Sequence, residues 1–313
     1  MGLISFIIPC YNSAGSICGV VDEIEDAVKD IGHDDYEIIL INDSSPDNVF
    51  EVIIRLCENN RRIRGIDLAK NFGQHAALMA GIRSVRGDIA VFLDDDGQTP
   101  ACEVGKMLST LDDAGCDVVF AKYESKQHSF LRNIGTKIND YMAATLIGKP
   151  KGLSLTSYIA CKRFVVDEIK RYEGNYPYMA GLLLRATDKI KNVQINHRKR
   201  AHGRSGYTLK KLFALWLNGF TAFSVKPLRV ATVFGFLTAM SGFVFGLYVI
   251  VRRILNPDMP IGYSSMMAAL LFIGGMIMLM LGAIGEYIGR TYLNVNNAPQ
   301  YVIRKRIGFE DES

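Results

Sequence analysis

Cysteine is scarce and unpatterned. The 313-residue chain has six, at positions 10, 18, 57, 102, 116 and 161, with no CxxC pair and none at metal-site spacing from a histidine. That excludes a disulfide framework and a thiolate zinc site, and fits reduced thiols filling small spaces. The five histidines show no HExxH pattern, which removes that class of zinc hydrolase. The formal net charge of +4 is too small to indicate nucleic acid as a partner. No basic stretch precedes the apolar run from Leu3 to Ile8, and Pro9 ends that run early, so no signal peptide is expected. Phe6 stands where a myristoylation signal needs Ser or Thr. The first two hundred or so residues are therefore expected to remain in the cytoplasm.

Charge is also missing from two long stretches, and there the absence is informative. No charged residue occurs from Val230 to Val251, nor from Met259 to Gly285; Arg252, Arg253 and Asp258 lie between. Runs of this length can each span a bilayer, which excludes a plain soluble protein. Basic residues gather on the outer flanks (Lys210, Lys211, Lys226, Arg229, Arg290, Arg304, Lys305, Arg306), whereas the connecting loop has two arginines. That balance places both ends of the hairpin on the cytoplasmic side. Leu209–Phe223 mixes lysines with leucines and aromatics just before the first span, the pattern of an amphipathic helix at the membrane interface.

The N-terminal part alternates two patterns. Apolar strand-like runs at 3–8, 36–41, 63–68, 89–93 and 117–121 are separated by segments with helical spacing. Repeated βα units predict a Rossmann-like α/β domain with a mostly parallel sheet. Ligands bind such sheets beyond the carboxyl ends of the strands. Three polar loops fall there: Cys10-Tyr11-Asn12, Asn42-Asp43-Ser44 and Asp94-Asp95-Asp96. The expected organisation is a catalytic domain over 1–196, a basic loop and interface segment over 197–229, a transmembrane hairpin over 230–288 and a cytoplasmic tail over 289–313.

Asp94-Asp95-Asp96-Gly97-Gln98 carries the sharpest chemistry. If the strand continues through it, Asp94 and Asp96 share a face and Asp95 points away. Two carboxylates past a strand end suit a hard divalent cation, with Gln98 as a further oxygen donor or ligand contact. The bland alternative is a solvated acidic turn. Asp43, at the end of the second strand, is placed to accept from a base N–H, or else to cap the helix that begins near Pro46. Pro9 and Tyr11 are candidates to wall a flat base. Asn71-Phe72-Gly73-Gln74 precedes a helix whose backbone N–H groups are suited to an anion.

Several of these segments resemble the family-2 inverting glycosyltransferases with a GT-A fold: Phe6-Ile7-Ile8-Pro9-Cys10-Tyr11-Asn12, Ile41-Asn42-Asp43-Ser44-Ser45, Lys70-Asn71-Phe72-Gly73, Arg86-Gly87-Asp88 and Asp94 through Pro100. Beyond them, Gly203-Arg204-Ser205-Gly206-Tyr207, Phe223 through Arg229 and Gly285 through Arg290 resemble the polyprenyl-phosphate glycosyltransferase branch. The resemblance implies a GT-A domain followed by interface helices and two transmembrane helices. It also implies roles. Pro9, Tyr11, Asn12, Asp43 and Asn71 would hold the nucleotide sugar, with Asp94, Asp95 and Gln98. Asp94, Asp96 and Gln98 would hold Mg²⁺ or Mn²⁺, with Asp94 and Asp96 as the catalytic pair. Lys122, Arg132, Thr136, Arg200 and Ser205 would grip the lipid phosphate; Arg132 and Thr136 fall on one helix face by spacing.

One departure is plain. Many relatives carry a proposed base, an aspartate, where this chain has Thr156 and Ser157. Neither can act as a general base at neutral pH. A phosphate monoester, with a second pKa of about 6, is already mostly ionised and can attack without giving up a proton. The expected activity is inverting transfer of one sugar from a nucleotide donor, with UDP-glucose ahead of other UDP-hexoses, to undecaprenyl or another polyprenyl phosphate. It would occur on the cytoplasmic face of the inner membrane, by a multi-pass protein that contacts membrane lipids and self-associates. A processive polysaccharide synthase is the enzymic alternative, but its QxxRW motif is missing; the single Trp216 follows Leu215. A non-catalytic nucleotide-sugar-binding membrane protein is the other.

Overall fold

Five N-terminal segments rich in Ile, Val and Leu form strands that are buried on both faces, as expected where helices cover a parallel sheet. The computed structural model describes residues 2–113, 115–123, 149–150, 152–196, 226–255, 262–296 and 299–309. Along the chain run β1 (Ile4–Cys10), α1 (Ile17–Asp30), β2 (Tyr36–Asn42), α2 (Val49–Asn59), β3 (Ile63–Leu68), α3 (Gln74–Arg83), β4 (Ile89–Phe92), α4 (Val104–Asp112) and β5 (Val118–Tyr123). They continue with β6 (Ile159–Lys162), α5 (Arg163–Lys170), α6 (Met179–Ala186), β7 (Ile190–Ile195), α7 (Lys226–Leu255), α8 (Tyr263–Val295) and β8 (Ile303–Ile307).

The eight strands make one sheet in the order β7-β5-β6-β4-β1-β2-β3-β8. The central ladders β4-β1-β2-β3 are parallel, as the βα alternation requires. Two features depart from that alternation. Strand β6 is antiparallel to both β4 and β5 and lies between them. Strand β8, from a segment expected to be a tail, pairs antiparallel with β3 and closes that edge.

Helix α1 shows why the core forms. Ile17, Val20, Val21, Ile24, Ala27 and Val28 recur at helical spacing and are all buried. They pack with α2 and α4 on one face of the sheet, against Phe6, Ile8, Ile38 and Leu40. Each buried Val, Leu, Ile or Phe among them contributes roughly 1.5–3 kcal/mol. On the other face α3 approaches very closely. A Cβ on Gly81 would come within 2.6 Å of Ile7 Cγ2 and 2.8 Å of Ile41 Cδ1. Only glycine allows α3 to sit so near β1 and β2, and α3 begins at the site described below.

At the amino ends of the strands, Glu37 gathers a buried network. It accepts from Ser5 Oγ at 2.5 Å, from Arg86 N at 2.9 Å and from Arg86 Nε at 3.1 Å, and pairs with Arg64. Gly87 N donates to Ser5 Oγ at 2.9 Å. The Arg86-Gly87-Asp88 segment is thus structural, at the opposite end of the sheet from the polar loops.

The chain divides into two compact units, Met1–Leu209 with Pro299–Ser313, and Lys210–Ala298. In the second, α8 contains Phe272–Gly289, long and apolar enough to cross a membrane. The apolar stretch of α7, Gly235–Tyr248, is shorter, so among the described residues one helix rather than two has the full length and composition of a span. Phe243, Met278, Leu281 and Ile288 are exposed along these helices. The two helices meet at Gly235, where a Cβ would lie 2.6 Å from Met280 Cε. The segment Leu209–Phe223, expected as an interface helix, lies outside the described residues.

Candidate active site

Pro9 shapes the mouth of the sheet. Having no N–H, it offers the neighbouring strand no donor, and the β1–β4 ladder stops at Ile7 opposite Phe92. Beyond Phe92 the chain leaves the sheet. Asp94-Asp95-Asp96-Gly97 is therefore a turn, with Gly97 at φ 70°, and not the end of a strand. The alternation expected of these aspartates is corrected accordingly: three different sets of partners, not strand geometry, fix their directions.

Asp94 is held from two sides. Gln74 Nε2 donates to its Oδ1 at 3.0 Å, and Ser157 Oγ donates to its Oδ2. Asp95 turns toward β1, where Tyr11 N donates to its Oδ2 at 2.8 Å and Ser16 Oγ donates to its carbonyl at 2.6 Å. Burial pushes the Asp95 carboxyl up to about 6, and the charges of Asp94 and Asp96 add to that. Asp96 accepts from Gln98 N at 3.0 Å and so fixes the turn that carries Gln98. Burial, with a smaller contribution from Asp94 and Asp96, raises the neighbouring Tyr123 hydroxyl.

The adjoining loops interlock. Asn12 (φ 56°) and Ser44 (φ 50°) both adopt left-handed backbone. Asn12 N donates to Ser45 Oγ at 2.8 Å and Ala14 N to Asp47 Oδ2 at 2.9 Å. Asp43 is 3% exposed. Its two oxygens accept from Phe72 N and Gly73 N, both at 2.8 Å. Burial raises its pKa despite those bonds. Asp43 does not cap α2, whose N-cap position is Asn48; Asp47, one residue before it, accepts from Val49 N at 3.3 Å. The backbone N–H groups ahead of α3 face an anion, as expected, but that anion is Asp43 itself. Each carboxylate oxygen keeps a second lone pair.

Tyr11, Asn12, Asp43, Asn71, Asp94, Asp95, Asp96 and Gln98 thus share the carboxyl end of the sheet, on loops tied to one another. Tyr11 is 47% exposed and available to a ligand, whereas Pro9 is buried inside β1 opposite Ile41. Lys122 is exposed near the end of β5, beside Tyr123. Arg132, Thr136, Arg200 and Ser205 lie outside the described residues. Sequence reading left Thr156 and Ser157 as equivalent; the structure separates them. Thr156 Oγ1 donates to the backbone carbonyls of Ala121 at 2.9 Å and Tyr158 at 3.2 Å, and only Ser157 reaches a carboxylate. The segment that holds Gln74 stood out for its backbone N–H groups, but the role of its side chain depends on a contact to a turn 20 positions away.

The donors here are oxygens, a set that would suit a hard divalent cation. Among the described residues no three His, Cys, Asp or Glu side chains converge to cage a metal. Asp94 and Asp96 would instead offer carboxylate oxygens from the turn that follows β4. Mg²⁺ and Mn²⁺ fit such a place, because Mg²⁺ takes one or two carboxylates plus phosphate oxygens and water, and Mn²⁺ suits the same oxygen donors.

Comparison with known proteins agrees with this geometry. Residues 5–169 match the profile described as glycosyl transferase family 2, and residues 226–291 match one described as a GtrB C-terminal hairpin. An undecaprenyl-phosphate 4-deoxy-4-formamido-L-arabinose transferase of Yersinia enterocolitica is 32% identical across 98% of this chain and 94% of its own length. Its counterpart in Photorhabdus laumondii is 30% identical, across 97% and 94%. Among solved structures, glucosyl-3-phosphoglycerate synthase from Mycobacterium tuberculosis with Mn²⁺, UDP and phosphoglyceric acid superposes with a TM-score of 0.51 at 19% identity. The match covers 68% of this chain and 74% of that one, and speaks for the fold alone.

Proposed function

This chain belongs to glycosyl transferase family 2, and we propose that it moves a single sugar from a nucleotide-sugar donor to polyprenyl phosphate, with inversion, at the cytoplasmic face of the inner membrane. It is a glycosyltransferase; the acceptor, donor and metal are the proposal. The observation that carries it is the clustering of Asp94, held by Gln74 and Ser157, with Asp96, Tyr11 and the Asp43 loop at one end of a GT-A-like sheet. Full-length similarity to undecaprenyl-phosphate sugar transferases supports the acceptor.

In this reading Tyr11, Asn12 and the Asp43–Gly73 loop pair cradle the base, with the second lone pair on each Asp43 oxygen as the acceptor for a base N–H. Uracil fits that acceptor, and UDP-glucose is the first donor to try. Asp94, Asp96 and Gln98 would hold Mg²⁺ or Mn²⁺, whose charge offsets that of the departing diphosphate. Gln74 and Ser157 keep Asp94 in one orientation before the donor arrives. Asp95 anchors the same turn to β1.

The acceptor phosphate oxygen forms a bond to the anomeric carbon as the bond to the nucleotide diphosphate breaks, and the leaving group carries away the electron pair. An acceptor dianion needs no proton removed. Ser157 beside Asp94 agrees with transfer driven by orientation and charge neutralisation. Lys122, Arg132, Thr136, Arg200 and Ser205 are assigned to the lipid phosphate. The two apolar helices are assigned to a membrane hairpin, with self-association through their small residues.

The test is incubation of the purified chain with undecaprenyl phosphate, Mg²⁺ or Mn²⁺, and a panel of donors. The panel includes UDP-glucose, UDP-galactose, UDP-GlcNAc, GDP-mannose and the 4-deoxy-4-formamido-L-arabinose donor. The lipid is then weighed by mass spectrometry. A gain of one sugar that disappears in Asp96→Ala supports the reading. Donor hydrolysis that ignores the lipid, or turnover unchanged in Asp96→Ala, contradicts it.

A further inference from the structure

The C-terminal strand reaches the candidate nucleotide site through one side chain. In the antiparallel β3–β8 ladder, Asp67 pairs with Lys305 but Leu68 pairs with Ile303, so Arg304 is the extra residue of a bulge. A bulge re-aims the side chain it carries. Arg304 Nη1 lies 3.4 Å from Asp67 Oδ2, and its Nη2 donates to the Ala69 carbonyl at 2.7 Å. Ala69 N in turn donates to the Val302 carbonyl at 2.8 Å.

Both contacts lead toward Asp43. The other oxygen of Asp67 accepts from Asn42 Nδ2 at 2.7 Å, and Asn42 Oδ1 accepts from Ser45 N at 3.0 Å, so the loop that carries Asp43 is tied down on either side of it. Ala69 starts the Lys70-Asn71-Phe72-Gly73 segment, whose two N–H groups hold the Asp43 carboxylate. Asn42 and Asp67 are both buried, with side chains that bond to each other, so the relay has little slack. Read from sequence, Arg304 is one of three consecutive basic residues flanking a membrane span. In the fold it is a bracket across the two loops that frame the base site.

We infer that Arg304 is a positioning residue: by bridging Asp67 and the Ala69 carbonyl it sets the two loops that present Asp43 to the donor base, so that nucleotide affinity depends on a strand that follows the hairpin in the chain. The inference rests on the proposed function in one respect, that Asp43 and its loops hold the base.

The experiment uses the full-length protein and measures UDP binding by calorimetry in Mn²⁺, alongside the unfolding midpoint and, with UDP-glucose, KM and kcat. In Arg304→Ala the UDP dissociation constant and donor KM rise about fivefold, the scale of a partly exposed charged contact, while kcat at saturating donor and acceptor KM stay within twofold. Arg304→Lys recovers part of the affinity, since an ammonium can reach one of the two acceptors. Should Arg304→Ala fold poorly, Asp67→Asn, which keeps an acceptor for Asn42 but drops the charge facing Arg304, must show the same affinity loss.

Unchanged UDP affinity in both variants overturns the inference. So does a lowered unfolding midpoint with kcat lost and KM unmoved, which would make β8 an edge cover only. Asp43→Ala separates the two ideas. If it abolishes UDP binding while Arg304→Ala leaves it intact, the base site stands and the bracket falls. If Asp43→Ala binds UDP normally, the base site itself is wrong.

Discussion

Ser157 donates its hydroxyl hydrogen bond to Asp94 from 63 positions farther along the chain, joining the loop before β6 to the turn after β4. With Gln74 on the other oxygen, Asp94 has a donor on each side. A carboxylate fixed in this way does not have to find its orientation when the donor binds.

Removing one of those donors should be visible in the metal dependence. A hydrogen bond to a charged group contributes about 1.5–3 kcal/mol, so Ser157→Ala should lower kcat/KM by about tenfold or more. The Mn²⁺ concentration for half-maximal rate should rise with it. Ser157→Thr keeps the hydroxyl and should keep most of the rate. Equal Mn²⁺ response in Ser157→Ala and the parent protein would show that the contact does not orient Asp94.

The close approach of α3 gives a prediction about stability. Gly81→Ala places a methyl within 2.6 Å of Ile7 and 2.8 Å of Ile41, both core residues. The helix must move or those side chains must leave their rotamers, at about 1–3 kcal/mol. A lowered unfolding midpoint is expected. Because α3 carries Gln74, UDP affinity should fall as well. A midpoint equal to that of the parent would mean that α3 is not seated on β1 and β2 as described.

His75 sets an acid limit. It packs edge-on to Tyr178, with ring centroids 5.3 Å apart. Burial pushes its pKa down to about 4. The unfolded chain protonates His75 near pH 6.5, whereas the fold resists until about pH 4. Stability from this group is thus complete above pH 6.5 and is lost as pH falls toward 4, by up to about 3 kcal/mol. His75→Phe, which keeps the aromatic contact, should narrow the difference in unfolding midpoint between pH 7.5 and 4.5. The same pH dependence in both proteins would contradict the assignment.

Much of this was readable in the sequence, for physical reasons. Strands buried on both faces are nearly continuous apolar runs, so β1 to β5 stood out, and polar residues at their carboxyl ends marked the site. Contacts between distant segments were not readable. Asp95 seemed the outward member of an alternating strand, but β4 stops at Phe92 because Pro9 gives it no ladder to follow. Asp43 looked like a free acceptor or a helix cap, and its bonds to Phe72 and Gly73 come from a loop 29 and 30 positions away. Ile303–Ile307 read as a basic tail because three of its five residues are charged; an edge strand needs only a few buried side chains and a neighbour with open backbone groups. Arg86-Gly87-Asp88 stood out only as one of the segments that carry the family resemblance; its partners Glu37 and Ser5 make it a brace at the far end of the sheet.

The most direct test of the central claim is to locate manganese. Crystals of the full chain grown with Mn²⁺ and UDP, measured at the manganese edge, should show an anomalous peak within about 2.5 Å of a carboxylate oxygen of Asp94 or Asp96, shared with the diphosphate. A peak elsewhere, or a diphosphate bound away from both aspartates, would contradict it.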